Sequence, residues 1–168
     1  KIKELEKDNN SKEITISKSR EKDIPKDLFF SITSHLKQLN LSTSNLSKKK
    51  YIFDEGIDNL LLNEKDLVDK IFLDLQSHLI LCEKNSGIWS VEYLNEIVFG
   101  QKKPYDLKTL NEGVPIMCTK NNNELGLSNG DIGVLIGLKN KRKYLFRKFN
   151  DNNEEIVSLI DPSNLENV

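Results

Sequence analysis

Apolar residues recur at helical spacing in three separate stretches of this chain and at strand spacing in four others. Leu28, Phe29, Ile32, Leu36 and Leu39 predict a helix over 25–39, opened by Pro25, whose fixed φ and missing N–H suit a first turn. LNLSTSNLSKKK (39–50) is polar and rich in Ser and Asn, and predicts a loop. Leu67, Val68, Ile71, Phe72 and Leu75 predict a second helix over 64–77, with Asn63 as its cap and Glu64 and Asp66 in its first turn. A third helix starts at the capping Ser90, carries Val91, Leu94, Ile97 and Val98 on one side, and ends at Gly100. Between the second and third lies LILC (79–82), a continuous apolar run like those buried on both faces of a parallel sheet. Helix, buried strand, turn, helix is α/β layering.

Beyond the connector at 101–113 the helical period is lost. VPIMCTK (114–120), DIGVLIGLK (131–139), KYLFRKF (143–149) and EIVSLI (155–160) are strand-like runs separated by Asn, Gly and Asp clusters. They predict a small barrel, with NNNELGLSNG as its long loop and NDNNEE as a hairpin loop. Residues 1–22 are charged and Asn/Ser/Lys-rich apart from EITIS (13–17), a composition that favours disorder. The expected organisation is a leader (1–22), an α/β part (23–110) and a small all-β part (111–168).

The net charge of −1 conceals a strong asymmetry. Residues 1–50 carry 12 basic and 7 acidic side chains, residues 51–100 carry 3 and 10, and residues 101–168 carry 10 and 9. The acidic middle is unsuited to a nucleic-acid face. KNKRKYLFRK (139–148), with six basic residues and no acid, is the local patch that a phosphate backbone fits. Lysine number alone proves little, because a chain rich in Lys, Asn and Ile and devoid of Ala reflects A/T-rich codon usage. No run of about 18 apolar residues and no signal-type N-terminus occurs, so a cytoplasmic chain with no membrane role is expected. Cys82 and Cys118 each stand in an apolar stretch, and His35 and His78 are isolated; neither a disulfide nor a metal is expected. The chain holds no GxxxxGK[ST], HExxH or GxSxG run, so it presents no catalytic residues of its own.

GVPIMCTKNNNELGLSNGDIGVLIG (113–137) carries the most specific pattern. It resembles the signature of the RecD family, the alpha chain of exodeoxyribonuclease V, a superfamily 1 DNA helicase. The match rests on Gly113, Pro115, Met117, Lys120 and Asn121, then on Leu125, Gly126 and Leu127, then on Asn129, Gly130, Asp131, Ile132 and Gly133. Asn122 stands where the family usually has aspartate, and Ser128 where phenylalanine is common. LILCEKNSGIWSVEYLNEIV (79–98) is similar to a strand, Gly turn and helix of the family's second motor domain, through Gly87, Leu94 and Asn95. Arg20 is the sole residue of the first 60 to suggest a motor motif, and a lone Arg is more often solvated.

The resemblance implies part of a RecA-like (P-loop NTPase type) α/β domain followed by an SH3-like β-barrel. It implies a portion of an ATP-dependent 5′ to 3′ helicase in double-strand break repair. ATP and Mg would then be bound in a first motor domain rather than by these residues. Single-stranded DNA and the beta and gamma subunits are the implied partners. Lys120, Asn121, Asn122 and Asn129 would line the DNA path, with Lys139 and Arg142, and with Lys141 and Arg147 beside them, as an electrostatic track. Asn121 and Asn129 equally suit the backbone of their own loop. Gly126, Gly130 and Gly133 are turn and close-approach residues. Trp89 suits base stacking or, more commonly at such a junction, packing. A relaxase- or phage-type helicase with the same barrel, and a non-enzymatic barrel module that binds a protein partner, are the competing classes.

Overall fold

The computed structural model describes residues 24–49, 57–100, 110–137, 141–150, 152 and 154–164. The expectations for 1–22 (Arg20 included), for Lys139 and for most of the 101–113 connector lie outside the described residues.

Helix α1 spans Lys26–Ser47, so the loop expected at 39–50 is corrected to helix for most of its length. The reason is tertiary. Leu39, Thr43 and Leu46 are fully buried, at i, i+4 and i+7, and their face packs on the rest of the molecule. Hydroxyls survive there because each has a partner: Thr43 Oγ1 donates to the Leu39 carbonyl (2.8 Å) and Ser42 Oγ to Asp74 Oδ2 (2.7 Å).

Helix α2 spans Ile57–Gln76, with a break in helical geometry at Glu64 (φ −130, ψ 26). The second helix expected from residue 64 is thus the part beyond that kink. Its stripe is core: Val68 and Ile71 are fully buried, and Phe72 and Leu75 nearly so. Asp74 joins the two helices, accepting from Gln38 Nε2 (2.8 Å), Ser42 Oγ and the Lys70 ammonium. Burial opposes its ionisation, and the bonds from Ser42, Lys70 and Gln38 outweigh that, holding the carboxyl below its ordinary value.

Helix α3 spans Val91–Phe99 and has the ends its sequence specifies. Ser90 Oγ accepts from the Tyr93 N–H (3.1 Å), and Gly100 closes the helix at φ 67. Only part of its expected core stripe is buried: Leu94 is inside, while Val91 and Ile97 are exposed.

The strand expected at 79–82 is a correction. No described strand includes those residues, and Leu79, Ile80 and Leu81 are 73%, 41% and 85% exposed. A run suited to burial on both faces needs flanking strands, and every described strand pairing lies in another, wholly antiparallel sheet. The segment instead borders a cavity of about 350 Å³ lined by Leu28, Ile80, Ile88, Trp89 and Leu94. Trp89 is half-buried there, at a left-handed φ of 62.

The four later strands all form: β1 (Pro115–Met117), β2 (Ile132–Ile136), β3 (Lys143–Phe149) and β4 (Glu155–Ile160). They make an antiparallel meander in the order β1-β2-β3-β4. Gly133 opposes Phe146 across β2 and β3, and Phe146 opposes Ser158 across β3 and β4.

Strand alternation divides the side chains between two cores. Val134, Ile136, Leu145 and Val157 face α1 and α2, where they meet Leu39, Leu46, Val68, Ile71 and Phe72. Leu135, Tyr144, Phe146 and Ile160 face the other way, against Leu110, Val114, Cys118 and Leu127. Helices and sheet therefore share one continuous hydrophobic cluster across the expected boundary at 110. Its seam at α1 is tight. A Cβ on Gly113 (φ 83) would lie 2.4 Å from the Asn40 backbone nitrogen, and Asn40 Nδ2 donates to the Glu112 carbonyl (2.8 Å).

Candidate nucleic-acid interface

The connection from β1 to β2, residues 118–131, is held by its own hydrogen bonds and by one apolar anchor. Asn122 and Leu127 form an isolated antiparallel bridge, each N–H donating to the other's carbonyl (2.8 and 2.9 Å). Leu127, 2% exposed, fixes the bridge to the second core. At the base, the Cys118 N–H donates to the Asp131 carbonyl and the Gly130 N–H to the Cys118 carbonyl, both at 2.8 Å. The Asp131 N–H donates to the Ser128 carbonyl (3.0 Å), closing a turn whose third residue, Gly130, sits at φ 95. Such a turn calls for positive φ at that position, and nothing lies within 4 Å of a Cβ there. Conformation, not space, therefore asks for glycine.

The asparagines complete the same frame. Asn121 Oδ1 accepts from the Asn129 N–H (2.8 Å), and Asn122 Oδ1 accepts from the Leu125 N–H (3.1 Å). Accepting from an N–H fixes which end of each amide faces the loop. The NH₂ ends are left as donors with no hydrogen bond to any described residue. Lys120 is exposed, and its ammonium makes no ion pair with the described residues. Its carbonyl instead accepts from the buried Cys118 thiol (2.8 Å). Two acids share the loop: the Asp131 carboxylate accepts the Ser128 N–H (2.7 Å), and Glu124 is exposed. Ser128 is exposed as well.

Gly126 sits at φ 60 inside the bridge, and Gly133 begins the close approach of β2 to β3. A Cβ on Gly133 would lie 2.8 Å from both the Leu145 carbonyl oxygen and the Phe146 ring.

The structure does not gather the basic run into one surface. Lys120, Asn121, Asn122 and Asn129 stand where β2 begins, while Lys141 and Arg142 stand beyond its other end. The five residues of β2 separate the groups by roughly 16 Å at ~3.3 Å per residue. Arg142 is therefore no neighbour of the Asn/Gly loop. Arg147 turns to the helical face, donates to Asp69 (2.9 Å), pairs with Glu155 (3.3 Å) and lies over the Phe72 ring. Lys143 pairs with Asp161 (3.0 Å); that contact, with hydrogen bonds from Ser163, holds the Asp161 carboxyl at about 2. Strand alternation and ion pairs thus divide what reads as one patch in the sequence. Lys148 closes the same basic run; counting by twos from Phe146, which packs in the second core with Leu127, puts it on the loop's side of the sheet.

No described helix is long and apolar enough to cross a membrane. Among the described residues no group of three or more His, Cys, Asp and Glu is placed to hold a metal ion. The sequence contains no phosphate loop of the GxxxxGK[ST] form.

No protein-family model matches the chain, and no solved structure does. Among curated proteins, the chain is 30% identical over 95 residues to the RecBCD enzyme subunit RecD of Buchnera aphidicola subsp. Schizaphis graminum (strain Sg). The match covers 51% of this chain and 16% of that protein's length. Over about half of its length the chain is related to a RecD subunit.

Proposed function

We propose that this chain is part of a RecD-like DNA helicase subunit, and that its Asn/Gly loop grips single-stranded DNA. In this reading the whole subunit acts in ATP-driven 5′ to 3′ unwinding during double-strand break repair. It works in the cytoplasm with the beta and gamma subunits of exodeoxyribonuclease V, and ATP and Mg are bound by other parts of the subunit. The helical part belongs to a RecA-like motor domain and the strands to an SH3-like barrel. The relationship to RecD supports the class of function.

The observation that carries the DNA-gripping role is the orientation of the loop amides. The carbonyl ends of Asn121 and Asn122 accept from the loop's own N–H groups, which leaves their NH₂ ends as donors on the loop that also carries Lys120. Donors on a frame that is already hydrogen-bonded lose little conformational freedom on meeting a phosphate. Both uses of the asparagines then operate together.

Fluorescence anisotropy of a labelled oligothymidylate, titrated at several salt concentrations, tests this. Binding is expected to weaken steeply with salt, and Lys120→Ala is expected to make the dependence shallower by about 0.7 in log–log slope. Glu124→Gln, which removes an exposed like charge from the loop, is expected to tighten binding. Absence of salt-dependent binding at low ionic strength overturns the reading.

A second reading has its own observation. Leu79 and Leu81, with Phe30 (72% exposed) and Leu73 (69%), leave apolar surface on the helical side that suits a protein contact. Such binding would be insensitive to salt, and changes in the Asn/Gly loop would leave it intact.

A further inference from the structure

The alternation that sends Arg147 toward α2 sends Lys148 to the opposite face of the sheet, alongside Phe146 and beneath the Asn/Gly loop. There its Nζ lies 3.1 Å from the point that a Cβ on Gly126 would occupy. The ammonium lies beside the bare backbone of Gly126. Lys148 is half-buried, yet it makes no ion pair or hydrogen bond with any described residue. Its neighbours along the strand differ: Arg147 has Asp69 and Glu155, and Lys143 has Asp161. The loop's own acids do not neutralise it, since the Asp131 carboxylate is turned to the Ser128 N–H and Glu124 makes no ion pair with it. A partly desolvated ammonium without a counter-charge favours an incoming anion more than a fully hydrated one does.

We propose that Lys148 is a phosphate-contacting residue of the single-strand path, that it acts with Lys120 from the two sides of the 122–127 bridge, and that Gly126 keeps open the room its ammonium occupies. This rests on the single-strand reading above. It adds a residue from β3 to a site otherwise built from one loop. The anion is a phosphodiester of the strand rather than free phosphate, because a loop and a strand holding one cation each suit successive phosphates better than a single small ion.

The test measures oligothymidylate anisotropy against salt for the full 168-residue chain and for Lys148→Ala, Lys148→Arg, Gly126→Ala and Lys48→Ala. Lys148→Ala is expected to weaken binding several-fold and to make the log–log salt slope shallower by about 0.7, the amount that one lost phosphate contact removes for a single strand. Lys148→Arg restores the slope. Gly126→Ala weakens binding more modestly, because the new Cβ moves the flexible ammonium by a few tenths of an ångström and strains a backbone held at φ 60. Lys48→Ala, at the far end of α1, leaves the slope unchanged. Thermal melting of each variant separates loss of contact from loss of fold. An unchanged slope in Lys148→Ala, beside a shallower one in Lys120→Ala, overturns this inference and leaves the single-strand reading standing. Salt-independent or absent binding by the unaltered chain overturns both. Displacement of the oligonucleotide by inorganic phosphate, beyond that by chloride at equal ionic strength, shows a free-anion site and also overturns it.

Discussion

Residues 77–90 and 118–131 are both irregular connections carrying Gly, Asn, Ser and a few large apolar residues, yet they have opposite fates. The second is closed by a two-bond bridge, a β-turn and two asparagine side chains, and Leu127 anchors it in a core. The first leaves Leu79, Leu81 and Ile88 in solvent. Its hydrogen bonds to the helices gather at its two ends, where Ser77 Oγ donates to the Asp74 carbonyl (2.7 Å) and the Lys84 and Asn85 carbonyls accept from the Val91 and Glu92 N–H groups (3.1 Å each), and His78, 2.7 Å from Ser31 Oγ, stacks on His35 with ring centroids 4.9 Å apart. Apolar content therefore does not decide whether a connection packs. What decides it is whether a complementary face is near and whether the backbone's own polar groups can be satisfied on the way to it.

The largest effects should come from attacking the anchored connection. Leu127→Ala is expected to cost about 2–5 kcal/mol, the range for truncating a buried leucine. Leu81→Ala, at 85% exposure, is expected to stay within about 0.5 kcal/mol. Chemical denaturation of the two variants decides the matter; equal costs would erase the contrast. Gly113→Ala follows, at about 3 kcal/mol, because its Cβ meets the Asn40 backbone, which cannot swing aside, and because φ is left-handed there. Loss of hydrogen-exchange protection should then appear at the α1–β1 seam, while 77–90 exchanges as before.

The smallest effect concerns the loosely tied connection. Burial, and then the charge of His78, lower the pKa of His35 from its ordinary value near 6.5, with Asp74 opposing. A lowered pKa means that the folded chain holds this proton less tightly than the unfolded chain does. The contribution is present above the ordinary value and is lost as pH falls through the folded one. A modest drop in the unfolding midpoint is expected between pH 7 and 5, and His35→Gln should flatten it. A midpoint that rises on acidification would contradict the assigned direction.

Much of this was legible from residue order. The α2 stripe, both caps of α3, the four strands and the turn chemistry at Gly130 follow from local rules, because each depends on a side chain and backbone a few residues apart. The candidate loop was legible for the same reason. Three features were not. The continuation of α1 through LNLSTSNLS depends on Asp74, 32 residues from Ser42 in sequence, to receive a buried hydroxyl. The exposure of 79–81 depends on strands that the described sheet does not supply. The separation of Arg142 from Lys120, and the turning of Arg147 and Lys148 to opposite faces, depend on strand register. Sequence by itself determined α3 with its caps, the part of α2 beyond the kink, the four strands and the Gly130 turn, since those follow local spacing and conformational preference. Tertiary structure alone decided which polar and basic groups end side by side, since charge and burial act through space between residues far apart in the chain.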